Sequence, residues 1–183
     1  NPIEQYYNRA LKDLAEMNWK KVLDITEVLG ETVRIGGRIL VCGNGGSAAD
    51  ASHFVGELVG RFRRERRGIP ALSLAADTAV LTALGNDYGY DDVFRRQVEA
   101  LGRQGDVLVA ITTSGTSSNI LRAAGEASRR GMKVIAFTSA ACDTAHWADL
   151  HWRAVSRETS HAQEQMLVAL HGICHGMEAL LEG

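Results

Sequence analysis

Hydroxyl side chains are concentrated in residues 112–119 (TTSGTSSN), where six of the eight residues are Ser or Thr. This hydroxyl-rich turn follows an apolar run typical of a buried strand and precedes a helical pattern, and open α/β sheets bind ligands at that end of their strands. One hydroxyl is explained as a helix N-cap. The others suit a phosphate monoester, with a serine-rich turn that binds nothing as the alternative. The segment lacks Gly-Lys-Ser/Thr, which excludes a nucleoside triphosphate P-loop.

Glycines dominate a second turn of this kind, residues 43–47 (GNGGS), again between an apolar run and a helical pattern. This glycine-rich turn matches the loose dinucleotide fingerprint GxGxxA, which expects an acidic residue about 20 positions further on, after a strand. Glu65 has that spacing but lies inside a charge run, and Asp77 follows a strand but is too distant. The turn therefore predicts an anion site at a helix N-terminus, with an unliganded tight turn as the alternative.

Two groups of titratable residues accompany these turns. His53 and Glu57 are four residues apart on the helix that follows the glycine-rich turn, which places them on one face about 6 Å apart. An isolated pair of this kind is more often a surface hydrogen bond, but this helix begins at a candidate phosphate site. Gln163 and His171 are eight residues apart, about 12 Å along a helix, which is a long span for one metal ion. Spacing alone favours His171 and His175 as a chelating pair.

The elements that must position these residues follow from the hydrophobic periodicity. Apolar runs predict strands at 38–42, 71–74, 106–111 and 133–137, with one more short strand within 145–155. Helical patterns cover 4–36, 48–62, 78–84, 91–101, 120–130 and 159–182. Residues 61–68 (RFRRERRG) predict a solvated helix end or loop, and residues 85–89 (GNDYG) predict a loop. Short apolar strands alternating with helices predict a parallel α/β sheet covered on both faces.

Length and composition limit the possible classes. The 183 residues predict one domain and are 45% hydrophobic and 23% charged, as in ordinary globular proteins. A net charge of −2 gives no basic footprint for nucleic acid. Three scattered cysteines without CxxC indicate a reducing compartment. Because no apolar stretch approaches the ~18 residues of a spanning helix and no signal peptide is evident, we expect a cytoplasmic protein with no nucleic-acid or membrane partner.

Four segments together resemble the phosphoheptose isomerase family, which belongs to the wider sugar-isomerase (SIS) fold. They are residues 42–62 (CGNGGSAADASHFVGELVGRF), 85–108 (GNDYGYDDVFRRQVEALGRQGDVL), 112–119 and 163–171 (QEQMLVALH). The resemblance covers nearly the whole chain and implies one SIS domain over 1–183, with a five-stranded parallel sheet flanked by helices. It also implies a homotetramer with active sites at subunit contacts. The long helices predicted at both ends, 4–36 and 159–182, agree, since their apolar faces exceed what one small sheet can cover.

The resemblance also implies a set of site residues. Substrate contacts would come from Asn44, Gly45, Gly46 and Ser47, from Asn86 and Asp87, and from Thr112, Thr113, Ser114 and Ser117. One zinc ion would be held by His53, Glu57, Gln163 and His171. Glu57 and His171 are the implied proton-transfer pair, and Glu57 and Gln163 are also implied to contact substrate. The implied ligand set overrules the spacing-based preference for His171 with His175.

The implied activity is isomerisation of sedoheptulose 7-phosphate to D-glycero-D-manno-heptose 7-phosphate through an enediol, for heptose in cell-surface polysaccharide. Two departures stand out: Ser160 occupies a position where some members have Asp, and Thr112 one where Ser is common. An isomerase of another phosphosugar is therefore one alternative. The other is a non-catalytic SIS protein that binds a replication initiator. That protein has a similar first loop but lacks the glutamate found here as Glu57, so this residue separates the two classes.

Overall fold

The structure, a computed structural model, describes residues 1–181 of the chain. Within these residues one sheet contains the strands β1 (Ile39–Gly43), β2 (Ala71–Ser73), β3 (Val107–Ile111), β4 (Lys133–Thr138) and β5 (Leu150–Arg153). Their order is β2-β1-β3-β4-β5, and each neighbouring pair is parallel. The predicted five-stranded parallel sheet is confirmed.

Helices cover both faces of this sheet. They are α1 (Pro2–Ala15), α2 (Trp19–Arg34), α3 (Gly46–Val59), α4 (Thr78–Tyr88), α5 (Arg95–Leu101), α6 (Ser118–Arg129) and α7 (Thr159–Leu180), with a 3-10 turn at Tyr90–Asp92. All residues of β1 and β3 are buried, as expected for parallel strands between two helical layers. Phe54 of α3 and Leu170 of α7 pack in one apolar layer, and Val98 of α5 and Ile120 of α6 pack in the other.

The prediction of one N-terminal helix over 4–36 is wrong. The chain leaves the helical path after α1, and α2 begins at Trp19 because the side chain of Asn18 accepts the N–H of Lys21 as an N-cap. At the other end of the chain, the predicted helix over 159–182 corresponds to α7, and residue 182 lies outside the described residues. Helix α1 packs on α7, whereas α2 packs on both α7 and β5.

The predicted loop at 85–89 is also wrong, because α4 continues to Tyr88. Gly89 ends the helix with a φ of +84°, a left-handed conformation that glycine adopts without strain. The helix predicted at 91–101 divides into the 3-10 turn and α5, and the helix predicted at 48–62 runs from Gly46 to Val59. No helix within the described range 1–181 is both long and apolar enough for a membrane span.

The central strands β1 and β3 lie side by side, and the helices that follow them pack on opposite faces of the sheet. The two connections therefore diverge at the carboxyl ends of the strands and leave a crevice between them. This is the topological switch point at which open α/β sheets bind ligands. The glycine-rich turn lies on one side of the crevice and the hydroxyl-rich turn on the other.

Candidate active site

The glycine-rich turn leads directly into the first turn of α3. Gly45 has a φ of +55°, which favours glycine. The carbonyl of Asn44 accepts the N–H groups of Ser47 and Ala48, at 3.0 and 3.4 Å, so the turn is closed by its own backbone. The amino end of a helix carries the positive end of its dipole. The start of α3 borders the crevice, where this dipole favours an anion.

The hydroxyl-rich turn contributes side-chain donors to the same place. The Oγ1 of Thr112 lies 3.5 Å from the Oγ of Ser114 and 3.4 Å from the Oγ of Ser117, which are long hydrogen bonds. A small cavity of about 60 Å³ joins the two turns, with a lining that consists of Asn44, Ser47, Ile111, Thr112, Thr113 and Ser117. Residues that the sequence assigned to phosphate binding on two separate segments thus meet at one polar cavity.

Asn44 is held by two residues that sequence reasoning did not assign to the site. Its Nδ2 donates to the Oδ1 of Asn119 at 2.9 Å, and the Nδ2 of Asn119 donates back to the Oδ1 of Asn44 at 2.8 Å. The hydroxyl of Tyr90 donates to the same Oδ1 at 3.2 Å. Asn119 is buried and Tyr90 is exposed. This amide bridge ties the two turns together across 75 residues of sequence.

His53 and His171 meet where α3 passes α7. Their Nε2 atoms are 2.8 Å apart, so one ring donates and the other accepts. The Nε2 of His53 also lies 3.7 Å from the Oε1 of Glu57. Burial lowers the pKa of His171, and the charge of His53 lowers it further, against the raising effect of Glu57. A neutral His171 agrees with a direct hydrogen bond between the two rings.

The side chain of Gln163 on α7 reaches the start of α3. A Cβ added to Gly46 would stand 3.0 Å from the Cδ of Gln163 and 3.1 Å from its Oε1, so the amide occupies the space above that glycine. Gln163 and His171 project from α7 toward α3, which carries His53 and Glu57. The structure thus gathers the four predicted metal ligands along one helix–helix contact, although Gln163 and the histidine pair lie at different levels of it.

The donor types in this contact fit zinc, since imidazole nitrogens and carboxylate oxygens are its ordinary ligands. The two Nε2 atoms already face each other, as two ligands of one ion would. No cluster of three or more His, Cys, Asp or Glu within residues 1–181 is arranged to hold a metal ion as it stands. The direct hydrogen bond between the imidazoles uses a lone pair that an ion would need, so the two rings would have to exchange this bond for the ion.

The remaining candidates lie further out. Asn86 and Asp87 occupy the exposed last turn of α4, where the Nδ2 of Asn86 donates to the Oδ1 of Asp87 at 2.8 Å. Across the described chain, no hydrogen bond connects this pair to the other predicted site residues. Tyr90, three residues after Asp87, brings the segment against Asn44. His175 is exposed on α7, whereas the Nε2 of His171 faces His53 on the neighbouring helix. Glu65, the residue with the spacing of a dinucleotide partner, is exposed and lies 3.9 Å from Arg61.

Comparison with known proteins identifies the family of this chain. The SIS domain family model matches residues 4–139. A phosphoheptose isomerase of Roseiflexus sp. (strain RS-1) is 47% identical, with 87% of this chain and 82% of the relative covered. One of Bordetella avium is 50% identical, with 86% and 82% covered. The chain belongs to the phosphoheptose isomerase family.

Solved structures of phosphoheptose isomerases have the same fold as this chain. The phosphoheptose isomerase of Neisseria gonorrhoeae superposes with a TM-score of 0.90 at 35% identity, and that of Francisella tularensis with a TM-score of 0.92 at 34% identity. Each comparison covers 97% of both chains. The family match extends from α1 to the end of β4 in sequence, and the structural matches extend over 97% of the chain. The prediction of a single domain over 1–183 stays a prediction.

Proposed function

We propose that the protein converts sedoheptulose 7-phosphate into D-glycero-D-manno-heptose 7-phosphate, as an aldose–ketose isomerase that supplies heptose for cell-surface polysaccharide such as the lipopolysaccharide core. The observation that carries the proposal is Glu57 beside His53 and His171, in a chain that is 50% identical to a phosphoheptose isomerase. Glu57 is the residue that distinguishes the enzymes from the non-catalytic SIS protein. The carboxylate therefore favours catalysis over a binding module.

The spacing along α3 supports a long sugar phosphate. Ser47 lines the polar cavity, and His53 and Glu57 lie six and ten residues further along the same helix. At 1.5 Å per residue these positions are about 9 and 15 Å along the axis. An extended seven-carbon chain bound by its phosphate at the cavity reaches the level of His53 with its C1 and C2 atoms, and the Glu57 side chain leans back toward that level because helical side chains tilt toward the helix N-terminus. A three-carbon sugar phosphate is too short to do so.

The proposed reaction moves one proton between carbons and one between oxygens. Glu57 takes a proton from C1 and returns it to C2, while His171 moves the other proton between O1 and O2 of the enediol. The positive end of the α3 dipole and the hydroxyls of Thr112, Ser114 and Ser117 hold the phosphate. Binding energy from this remote group orients the reacting carbons between the acid and the base.

We also propose one zinc ion per subunit, with His53, Glu57, Gln163 and His171 as its ligands. When bound, zinc supplies a Lewis acid for the carbonyl and hydroxyl oxygens of the sugar. A glutamine amide is an unusual zinc ligand, which supports a weakly held ion. Metal analysis of the purified protein tests the site: His53→Ala should lose zinc, and His175→Ala should retain it, because His175 is an exposed histidine on α7, the helix that carries Gln163 and His171. Equal zinc content in both variants would contradict the ligand set.

A homotetramer in the cytoplasm completes the proposal. The apolar side chains of Ile3, Tyr7 and Leu11 recur every four residues along α1 and are 69%, 63% and 65% exposed. A stripe of this kind supports burial against another subunit. The three cysteines are free thiols in the described part of the chain, which supports a reducing compartment. Light scattering should give the mass of four chains, and a monomer at micromolar concentration would contradict this.

The activity is tested by incubating the purified protein with sedoheptulose 7-phosphate in heavy water, with and without added zinc. We expect conversion to the aldose, with solvent deuterium at C1 or C2 because Glu57 exchanges its proton. Turnover of a different ketose phosphate alone would revise the substrate. No turnover under either condition would leave the non-catalytic binding module as the better interpretation.

A further inference from the structure

Arg66 and Glu178 form an ion pair away from the candidate site. The Nε of Arg66 lies 3.3 Å from the Oε1 of Glu178, and their side chains are only 11% and 1% exposed. Arg66 belongs to residues 61–68, of which five are arginines, and the sequence predicts that this segment is solvated. Burial of a charged pair costs free energy unless further hydrogen bonds compensate for it. The contacts of both side chains show what this pair holds in place.

The guanidinium of Arg66 binds the carboxyl end of α3. Its Nη2 donates to the carbonyl of Glu57 at 2.8 Å, and its Nη1 donates to the carbonyl of Leu58 at 2.9 Å and, more weakly, to that of Gly60 at 3.4 Å. The last four carbonyls of a helix lack partners within the helix, and a positive charge there is favourable. Arg66 therefore fixes the backbone of the residue that carries the proposed base.

The carboxylate of Glu178 binds the turn that follows α3. It accepts the backbone N–H groups of Phe62 at 3.0 Å, Arg63 at 3.1 Å and Arg64 at 3.3 Å. The ring of Phe62 lies 5.4 Å from the ring of His171, at an interplanar angle of 32°. Glu178 is two helical turns beyond His171 on α7. The carboxylate therefore fixes both the turn and the aromatic ring that backs the proposed acid.

We propose that Arg66 and Glu178 are positioning residues for the isomerisation: together they set α3 against α7 so that Glu57 and His171 face the same substrate carbons. This inference rests on the proposed function. Glu57 is on α3 and His171 is on α7. Arg66 binds backbone carbonyls at the end of α3, and Glu178 is a side chain of α7, so their ion pair links the two helices. A displacement of about 1 Å in a catalytic group can reduce turnover by about 100-fold, so a fixed spacing between the helices has a direct effect on rate.

The chain offers a matched control in Arg38 and Asp106. The Nη2 of Arg38 lies 2.9 Å from the Oδ2 of Asp106, which is 4% exposed. Asp106 also accepts the N–H groups of Arg38 at 2.8 Å and Arg103 at 3.1 Å. Like Glu178, Asp106 is thus a buried carboxylate that pairs with an arginine and accepts backbone N–H groups. It lies where β1 and β3 begin, at the opposite end of these strands from the two turns. Loss of this pair should affect stability alone.

The test compares Glu178→Gln and Arg66→Lys with Asp106→Asn. Each change keeps the approximate shape of the side chain and weakens one pair. With sedoheptulose 7-phosphate we expect kcat to fall roughly 10- to 100-fold in the first two variants, with KM little changed, because the phosphate is held by other elements. Asp106→Asn should lower Tm by a similar amount and keep kcat. Unchanged kcat in Glu178→Gln, or an equal loss in Asp106→Asn, would overturn the inference.

NMR of the histidine ring resonances reports the position of His171 without requiring turnover. Because the Phe62 ring lies over His171, Glu178→Gln should shift the ring resonances of His171, and Asp106→Asn should leave them in place. If the wild-type protein fails to convert the sugar, the proposed function is wrong, and the NMR comparison still decides whether the pair positions His171. Identical His171 resonances in wild type and Glu178→Gln would refute the inference in either case.

Discussion

The two ends of the parallel sheet use buried polar groups in opposite ways. Where β1 and β3 begin, the carboxylate of Asp106 is saturated by two backbone N–H groups and the guanidinium of Arg38. Where the same strands end, Thr112 and Ser117 line a cavity. Their hydroxyls are 3.4 Å apart, so the hydrogen bond between them is long and weak. Polar groups at the first end stabilise the fold, and those at the second remain available to a ligand. Substitutions at the two ends should therefore have separable effects.

The largest expected effect is at the carboxyl end. Glu57→Gln keeps the side-chain shape and removes the base, so kcat should fall by about 10²–10⁴ while Tm stays near that of the wild type. His171→Asn should be comparably slow, and the double variant should lose less than the product of the two because the groups act together. Steady-state kinetics with sedoheptulose 7-phosphate measure this. Near-normal turnover in Glu57→Gln would end its assignment as the base.

The phosphate contacts should show the next largest effect. Ser114→Ala combined with Ser117→Ala removes two donors to a charged group, each worth roughly 1.5–3 kcal/mol. Relaxation and neighbouring donors recover part of this, so we expect KM to rise roughly 10- to 100-fold. Thr116→Ala is the control, since Thr116 lies in the same turn but its hydroxyl, unlike those of Ser114 and Ser117, does not contact the hydroxyl of Thr112. A normal KM in the double variant would place the phosphate elsewhere.

Substitutions at the amino ends of β1 and β3 should change the stability of the protein and leave its turnover unchanged. Asp106→Ala leaves the N–H groups of Arg38 and Arg103 without their acceptor and should lower the free energy of unfolding by roughly 2–3 kcal/mol. Urea denaturation measures that loss. Turnover well below the melting temperature should match the wild type. A kinetic defect in a variant that unfolds normally would show that the two ends are coupled and would remove the distinction between them.

Glu178, like Asp106, is a carboxylate with several hydrogen-bond donors, but it lies on α7, the helix that carries His171. The pH dependence of its contribution to stability is the smallest effect that we predict. Burial by itself raises the pKa of Glu178, but the N–H groups of Arg64, Phe62 and Arg63 and the charge of Arg66 outweigh it and lower the pKa below its ordinary value. Its stabilising contribution is therefore complete above the unfolded pKa of about 4.3 and is lost as the pH falls through the lower folded value.

Urea titrations above and below that pH check this behaviour. The wild type should lose more unfolding free energy than Glu178→Gln as the pH falls below about 4.3, because the amide does not titrate. Other carboxylates contribute equally to both proteins and cancel in the difference. The same acid sensitivity in both proteins would contradict the assignment.

The sheet was predictable from sequence because burial on both faces produces continuous apolar runs, as in residues 107–111. Two helix boundaries were not. Asn18 caps α2 inside a stretch whose apolar periodicity continues across it, so the break between α1 and α2 leaves little trace in the pattern. The GNDYG segment has loop-forming residues, but only Gly89 takes the left-handed conformation, and α4 therefore extends through Asn86 and Asp87.

The site was predictable in its local parts. His53 and Glu57 follow from four-residue spacing, and both turns follow from their composition. His171 is 118 residues from His53, and no local pattern connects them, so their association came from the family resemblance. The roles of Asn119, Arg66 and Glu178 could not be predicted from sequence, because each residue acts through a partner on a distant segment. The N–H of Phe62 and the carboxylate of Glu178, for example, are 116 residues apart in sequence.

The missing side chain at Gly46 has a consequence for how this chain tolerates mutation. A methyl group there would displace the amide of Gln163, but that amide ends a flexible side chain, so the backbones of α3 and α7 can keep their places. A library randomised at position 46 should therefore yield many folded proteins and few active ones. Selection for expression would accept residues that selection for enzyme activity would reject. A functional requirement for glycine at position 46 would thus reflect chemistry, with little contribution from foldability.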